Sequence, residues 1–255
     1  MTPVRQLVCT RYITPLREGG SLPAIVEAQD DGLYVMKFLG AGQGPKALIA
    51  ELVAGLLGQA LGLPIPELVL LHLEADLPRL EGDDEVQHLL KQSCGINLGV
   101  DYLPGSISHD AGMFDRVDPG LASSVLWFDG VIANVDRTAR NTNMLWWHDK
   151  LWLIDHGASL IFHHQWENVA TSPVGFSAVA SHVLKPRANA LPQAHARMAP
   201  LVTRALLADI TAQVPDAWLT GDHPFADHAS HRAAYVDMLL KRVAAADAWV
   251  HGGTP

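Results

Sequence analysis

The segment from Ala47 to Leu63 constrains this chain more than any other: it is apolar almost throughout, yet it carries a single acid, Glu51. It falls short of the about 20 residues that a helix needs to cross a bilayer, so it reads as a helix buried inside a folded protein. Pro45 suits the first helical position, where its missing N–H would have no partner anyway. Gly62 followed by Pro64 stops the helix. If one side packs on a sheet and the other on a second layer, Glu51 needs a cation, because an unpaired buried charge is costly. Lys37, on the strand before the helix, is the natural one. The competing reading places Glu51 on a narrow solvated stripe with Gln59.

Composition narrows the class. With 255 residues, 49% hydrophobic and 18% charged, the chain is globular and forms one large domain or two small lobes sharing a core. A core of that size needs no staples. The two cysteines, Cys9 and Cys94, are too few for a disulfide framework or a thiolate metal site. A net charge of −9 argues against global attraction to nucleic acid or anionic membrane. The opening MTPVRQLVCTR has no apolar h-region. The expectation is a cytoplasmic protein with no membrane association and no direct nucleic-acid binding.

Along the chain, strands come first and helices dominate later. Gln6–Tyr12, Ala24–Ala28 and Leu33–Leu39 read as strands, with an Asp-Gly hairpin signal at Asp31-Gly32. In the third, Lys37 falls on the same face as Leu33 and Val35. The long helix runs from Pro45 to about Leu61, and Ile65–Leu73 is another strand. Val86–Gln92 is a short apolar stretch of open type. Leu121–Val135 reads as an apolar helix, and Met144–His148 with Leu151–Ile154 as a hairpin. Met198–Val214 and His231–Trp249 carry helical periodicity. This order suggests an α+β protein in two lobes, divided near residue 100.

The densest polar cluster in an apolar neighbourhood is Asn134-Val-Asp136-Arg137-Thr-Ala-Arg140-Asn141-Thr-Asn143. An Asp followed five residues later by an Asn, entering a strand, can set a carboxylate near a hydroxyl and an amide oxygen on a metal. The plainer alternative is a solvated turn with local Arg–Asp pairing. Downstream, Asp155 in Leu153-Ile-Asp-His-Gly157 ends an apolar strand, where it can ligate a hard cation such as Mg²⁺ or simply cap the next turn.

Strand lysine, helix glutamate, Asp-x-x-x-x-Asn loop and strand-end Asp-x-Gly are the parts of a protein-kinase-like site. In this order, with Val35-Met-Lys-Phe38, Gly42-Gln-Gly-Pro-Lys-Ala-Leu-Ile-Ala-Glu-Leu52, Leu61-Gly-Leu-Pro-Ile-Pro66 and Tyr102-Leu-Pro-Gly-Ser106, the chain resembles a compact HipA-like kinase. The resemblance covers nearly the whole first 160 residues. It implies a single domain over 1–255: a β-rich N-lobe with one long helix (1–100) and a mostly helical C-lobe (101–255). It also implies an ATP- and Mg²⁺-dependent phosphotransferase acting on Ser or Thr hydroxyls of a protein substrate. Lys37 would pair with nucleotide phosphates and Glu51, Asp136 would be the base, and Asn141 and Asp155 would hold Mg²⁺. Gly19, Gly20 and Ser21 would form the phosphate-covering loop; Ser21 and Ser106 lie in loops that could approach the cleft, which makes them candidates for autophosphorylation by position alone.

The chain departs from ordinary protein kinases in lacking their Gly-rich signature, an HRD triplet and an Ala-Pro-Glu end to an activation segment; His156 stands where many have Phe. It is also shorter than the better-known HipA toxins. The last hundred residues carry no comparable motif. A small-molecule or lipid kinase would use the same catalytic parts, and a pseudokinase scaffold would bind nucleotide without transfer. Gly40-Ala-Gly-Gln-Gly44 fails the dinucleotide fingerprint because Pro occupies position 45, and Gly175-Phe-Ser-Ala-Val179 is no nucleophile elbow. Asp227, His228 and His231 read as a solvated helix start rather than a metal site, and Trp146, Trp147 and Trp152 as core packing.

Overall fold

The alternating runs at the start of the chain become strands because every second side chain can face a common interior. The computed structural model describes residues 1–16, 22–77, 83–171, 177–221 and 223–250. Strands β1 (Arg5–Pro15), β2 (Ala24–Ala28), β3 (Leu33–Lys37), β4 (Leu68–Leu73) and β5 (Gly95–Asp101) close into a barrel in the order β1-β2-β3-β5-β4. All pairs are antiparallel except β1 with β4. Val69, Leu71 and Leu73 of β4 join Val26, Tyr34 and Met36 inside the barrel, while Leu68 and Leu70 face outward onto a helical core.

That outer face packs against α1 (Pro45–Ala60), which is buried without interruption from Leu48 to Gly58. Its approach is close. A Cβ on Gly58 would lie 2.2 Å from Ile65 Cδ1 and 3.1 Å from Phe128 of α3 (Pro119–Ile132). Asp118 caps α3 by accepting from the Leu121 N–H at 2.9 Å. Helix α2 (Asp84–Gln92), the stretch whose type periodicity left open, is started by Asp83, which accepts from the Glu85 and Val86 amides at 2.9 and 3.2 Å. A second sheet, β6 (Ile107–Ser108), β7 (Met144–Trp147) and β8 (Lys150–Leu153), follows in the order β6-β7-β8. Helices α4 (Leu191–Met198), α5 (Arg204–Thr211) and α6 (His228–Val250) complete the same contiguous core.

Three sequence expectations need correction, and one strand had no expectation at all. The helix expected over Met198–Val214 is broken: α4 ends at Met198, a 3₁₀ turn at Ala199–Leu201 carries Pro200, and Thr203 starts α5 by accepting from the Leu206 amide at 3.2 Å. Pro200 has no N–H to continue the ladder. Helix α3 stops at Ile132 rather than Val135 because Ala133 takes a left-handed φ of 54°. Strand β5 was hidden by its glycines, yet Gly99 is required, since a Cβ there would lie 2.6 Å from Leu71 and 2.7 Å from Val69. His231 is buried rather than solvated, stacked against Phe225 and Tyr235 with ring centroids 4.6 and 5.4 Å away. No helix among the described residues is long and apolar enough to cross a membrane.

Candidate active site

Lys37 does not face the barrel interior. Tyr34 and Met36 take that side of β3, and Val35 and Lys37 line a cleft of about 1010 Å³ on the other. There Lys37 Nζ lies 2.7 Å from Glu51 Oε2 and 2.5 Å from Asp155 Oδ1. Side-chain exposure rises along this chain of charges, 2% for Glu51, 16% for Lys37 and 48% for Asp155, so it runs from the core out to the cleft. The solvated-stripe reading of Glu51 is thereby excluded. Gln59, its proposed companion, donates to the Pro66 carbonyl at 2.7 Å.

Electrostatics explain why a buried acid is tolerated. Burial alone would push the Glu51 carboxyl up; the Lys37 ammonium, helped by His156, overrides it and holds the group well below the usual carboxylate range. For Lys37, burial works to lower the ammonium's pKa, but Glu51 and Asp155 raise it above the usual lysine range. His156 is buried, with Nδ1 3.6 Å from Glu51 Oε1 and its ring edge-on to Phe128 at 5.9 Å. It thus fastens the segment after β8 to α1. Asp155 adopts a left-handed φ of 55°, a conformation uncommon for a residue with a side chain and concentrated at functional sites.

The loop 134–143 is held from below by a polar network that the sequence reading did not find. Asp129, fully buried in α3, accepts from Arg137 Nε at 2.6 Å, His182 Nε2 at 2.9 Å and Asn134 Nδ2 at 3.0 Å. Arg137 also donates to the Asn143 carbonyl at 2.5 Å. Its partner is therefore Asp129, not the neighbouring Asp136. The Leu184 amide donates to His182 Nδ1 at 3.1 Å, which leaves the ring's proton on Nε2, facing Asp129. Burial would raise the Asp129 carboxyl, but Arg137 and His182 hold it well below the usual range. Asp129 could have been found by the signal that singled out Glu51, a lone acid in an apolar helix; nothing in the sequence marks His182.

Above this network, Asp136 is fixed by amides. Asn134 Oδ1 accepts from its N–H at 3.0 Å, and Oδ2 accepts from Asn141 Nδ2 at 2.7 Å and Asn143 Nδ2 at 3.3 Å. Among the described residues, its Oδ1 has no hydrogen-bond partner. Asn141 lines the same cleft as Lys37 and Asp155, so the structure brings together Lys37, Glu51, Asp136, Asn141 and Asp155. Gly19, Gly20 and Ser21 lie outside the described residues. Apolar side chains of Val35, Val100, Leu103, Met144 and Ile154 line the cleft as well.

No group of three His, Cys, Asp or Glu side chains able to hold a metal occurs among the described residues. The donors that do face the cleft suit a hard cation shared with a ligand. Asn141 spends its N–H on Asp136, which leaves its amide oxygen as an acceptor, and Asp155 keeps Oδ2 after Lys37 takes Oδ1. Two oxygen donors with the rest supplied by phosphates and water is the habit of Mg²⁺.

The sequence model of HipA-like kinases matches residues 10–251. No curated protein matches the sequence. Among solved structures the chain is similar to the Helicobacter pylori proinflammatory kinase CtkA, with a TM-score of 0.61, 12% identity, and 99% of this chain and 100% of that chain covered. It also aligns with the Golgi casein kinase at a TM-score of 0.46 and 12% identity, covering 96% of this chain and 71% of that one. A Golgi casein kinase structure with Mn/ADP bound aligns at 0.45 and 11% identity, covering 96% and 72%.

Proposed function

The chain belongs to the HipA-like kinase family, and from that premise we propose that this phosphotransferase is a Mg²⁺-dependent protein serine/threonine kinase. The barrel with α1 and α2, residues 1–100, serves as N-lobe and residues 101–255 as C-lobe, with nucleotide between them. What supports the reading is one observation: Lys37, Asn141 and Asp155 line a single cleft, with Glu51 behind Lys37 and Asp136 bonded to Asn141.

In this reading the adenine lies among Val35, Val100, Leu103, Met144 and Ile154, beside the backbone at Asp101–Leu103. The Asp101 and Tyr102 amides are already spent on the Glu67 and Leu33 carbonyls at 2.8 and 3.0 Å. The Leu103 amide has no partner among the described residues and is free to donate to the base. Lys37, held by Glu51, contacts the nucleotide phosphates. Mg²⁺ held by Asn141 and Asp155 would offset negative charge on the phosphate oxygens.

The reaction is an in-line displacement. The acceptor hydroxyl oxygen forms a bond to the γ-phosphorus as the bond to the β,γ-bridging oxygen breaks, and that electron pair leaves on ADP. The hydroxyl proton passes to Asp136 Oδ1, the oxygen that the two asparagine amides leave open. With Oδ2 pinned, the carboxylate is oriented before the acceptor arrives, and such positioning is most of what a kinase site supplies.

Transfer from γ-labelled ATP in a cell lysate, comparing wild type with Asp136→Ala, tests the proposal. Label on Ser or Thr of protein, lost by at least about 100-fold in the variant, is the expected result. Label recovered only in a lipid or small-molecule fraction would overturn the acceptor class. Thermal stabilisation by Mg-ATP with no transfer to any fraction would overturn the phosphotransfer itself.

A further inference from the structure

Asp136 serves as a base only while its open oxygen faces the acceptor, and the hydrogen bonds that fix its backbone lead away from the cleft. The Asp136 N–H donates to Asn134 Oδ1 at 3.0 Å, Asn134 Nδ2 donates to Asp129 Oδ1 at 3.0 Å, and His182 Nε2 donates to Asp129 Oδ2 at 2.9 Å. Asn134, Asp129 and His182 are all buried, so no solvent stands ready to replace a bond lost from this path. His182 lies outside the described lining of the cleft.

The backbone of Asp129 is fixed by α3, but its carboxylate can still turn. Two of its donors, Arg137 and Asn134, ride on the loop 134–143 whose position they would define. Among the described residues, His182 is the one donor to Asp129 that comes from outside both helix and loop. Its ring has a single orientation open to it, because the Leu184 amide occupies Nδ1 at 3.1 Å. The stretch carrying His182 is tied down on two sides. Thr138 bridges His182, and the Val183 N–H donates to the Arg137 carbonyl at 3.0 Å. Further along, Arg187 Nε donates to the Val117 carbonyl and the Ala190 N–H to Ser123 Oγ, both at 2.9 Å, which fastens the stretch to the start of α3. The imidazole is therefore a fixed strut against Asp129.

We infer that His182 is a positioning residue for phosphotransfer: it sets the plane of the Asp129 carboxylate, which places Asn134 and, through it, Asp136. The inference rests on the kinase reading above, with Asp136 as base, and adds no bond change to it. The acceptor oxygen–phosphorus bond forms, the bridging bond breaks onto ADP and the proton goes to Asp136. His182 touches none of the reacting atoms and keeps its own proton throughout. Its effect is geometric, and a displacement of about 1 Å at a reacting group can cost about 100-fold in rate.

Two substitutions divide the ring's contacts. In His182→Gln the side-chain amide can still donate to Asp129. In His182→Asn the shorter side chain can accept from the Leu184 amide but does not reach Asp129. His182→Leu is a second variant without the donor. Transfer of label from γ-labelled ATP to protein is measured in one cell lysate over a range of ATP concentrations, and ADP affinity with Mg²⁺ by calorimetry, all below the melting transition of each variant. The maximal rate should fall by about tenfold or more in His182→Asn and His182→Leu, with the KM for ATP and the ADP affinity unchanged within about twofold. His182→Gln should keep most of the wild-type rate. An unchanged rate without the donor would overturn the inference, as would equal losses in His182→Gln and His182→Asn, or a rate loss matched by lost ADP affinity. Failure of both His182→Asn and His182→Leu to fold would make the residue purely structural and overturn it too. The kinase reading is judged separately, on wild type and Asp136→Ala. Wild type that transfers no label ends both claims, and full transfer by Asp136→Ala removes the base that His182 is held to position.

Discussion

Replacing Asp129 by Ala should be among the most destabilising single changes in the protein. The side chain is fully buried and accepts three hydrogen bonds, from Arg137, His182 and Asn134. Arg137 is buried to the same degree, with side-chain exposures of 0% for both partners of the pair. Without Asp129 the guanidinium keeps the Asn143 carbonyl but loses the one carboxylate it pairs with among the described residues. Breaking a buried pair in this way costs about 3–5 kcal/mol, a large share of the about 5–15 kcal/mol that holds a domain together. Urea unfolding followed by tryptophan fluorescence measures it directly, since Trp127 lies on the same helix. The variant Asp129→Leu/Arg137→Met removes both charges and should lose less stability than Asp129→Ala, because no uncompensated charge is left. An Asp129→Ala loss under about 1 kcal/mol, or a double variant no better than the single one, would refute the claim that paired burial of these charges holds the loop.

Lys37→Ala should act twice, removing the proposed phosphate contact and leaving Glu51 2% exposed without its ammonium. We expect a stability loss of about 3 kcal/mol in the same assay, and Lys37→Ala/Glu51→Leu should recover most of it while remaining inactive. The pH profile of the pair follows from its directions. Glu51 is depressed, so its contribution is complete above about pH 4.3 and lost as pH falls further; Lys37 is raised, so its contribution is complete below about pH 10.4 and lost as pH rises. Between these limits the pair contributes a flat term. Any slope near neutrality comes instead from buried neutral histidines. Burial first, then the charge of His223, lowers His231 to about 4. Below about pH 6.5 the unfolded chain binds a proton that the folded chain refuses, so stability should decline from there to about pH 4. His231→Phe should flatten that decline in thermal melts taken across the window; an unchanged slope would show that His231 accepts its proton at little cost.

Much of the site was readable in advance because it is built from local exceptions. Glu51 stands out as a lone acid in an apolar helix, Lys37 as a cation in a strand, and the 134–143 loop as charge between apolar elements. Each marks a place where burial must be offset by a partner, and the partners proved to be one another. Helix α1 and the β7–β8 hairpin were legible for similar reasons, through a Pro start and Gly stop and through a short turn between apolar runs. Strand β5 was not, because its glycines mimic a loop and their purpose, clearance for Leu71 and Val69, exists only once the barrel closes.

By itself the sequence determined which residues could carry charge chemistry and in what order they occur, since buried charges are rare enough to be visible as exceptions. Tertiary structure alone decided their pairing. Arg137 and Arg140 are near neighbours in one loop and chemically identical, yet one is locked beneath Asp136 by Asp129 while the other is exposed at the cleft. His182 joins the first of them from 53 residues beyond Asp129. No local pattern can encode that difference. It depends on which side of the loop the rest of the chain happens to cover, and so on desolvation, which is a property of the folded whole.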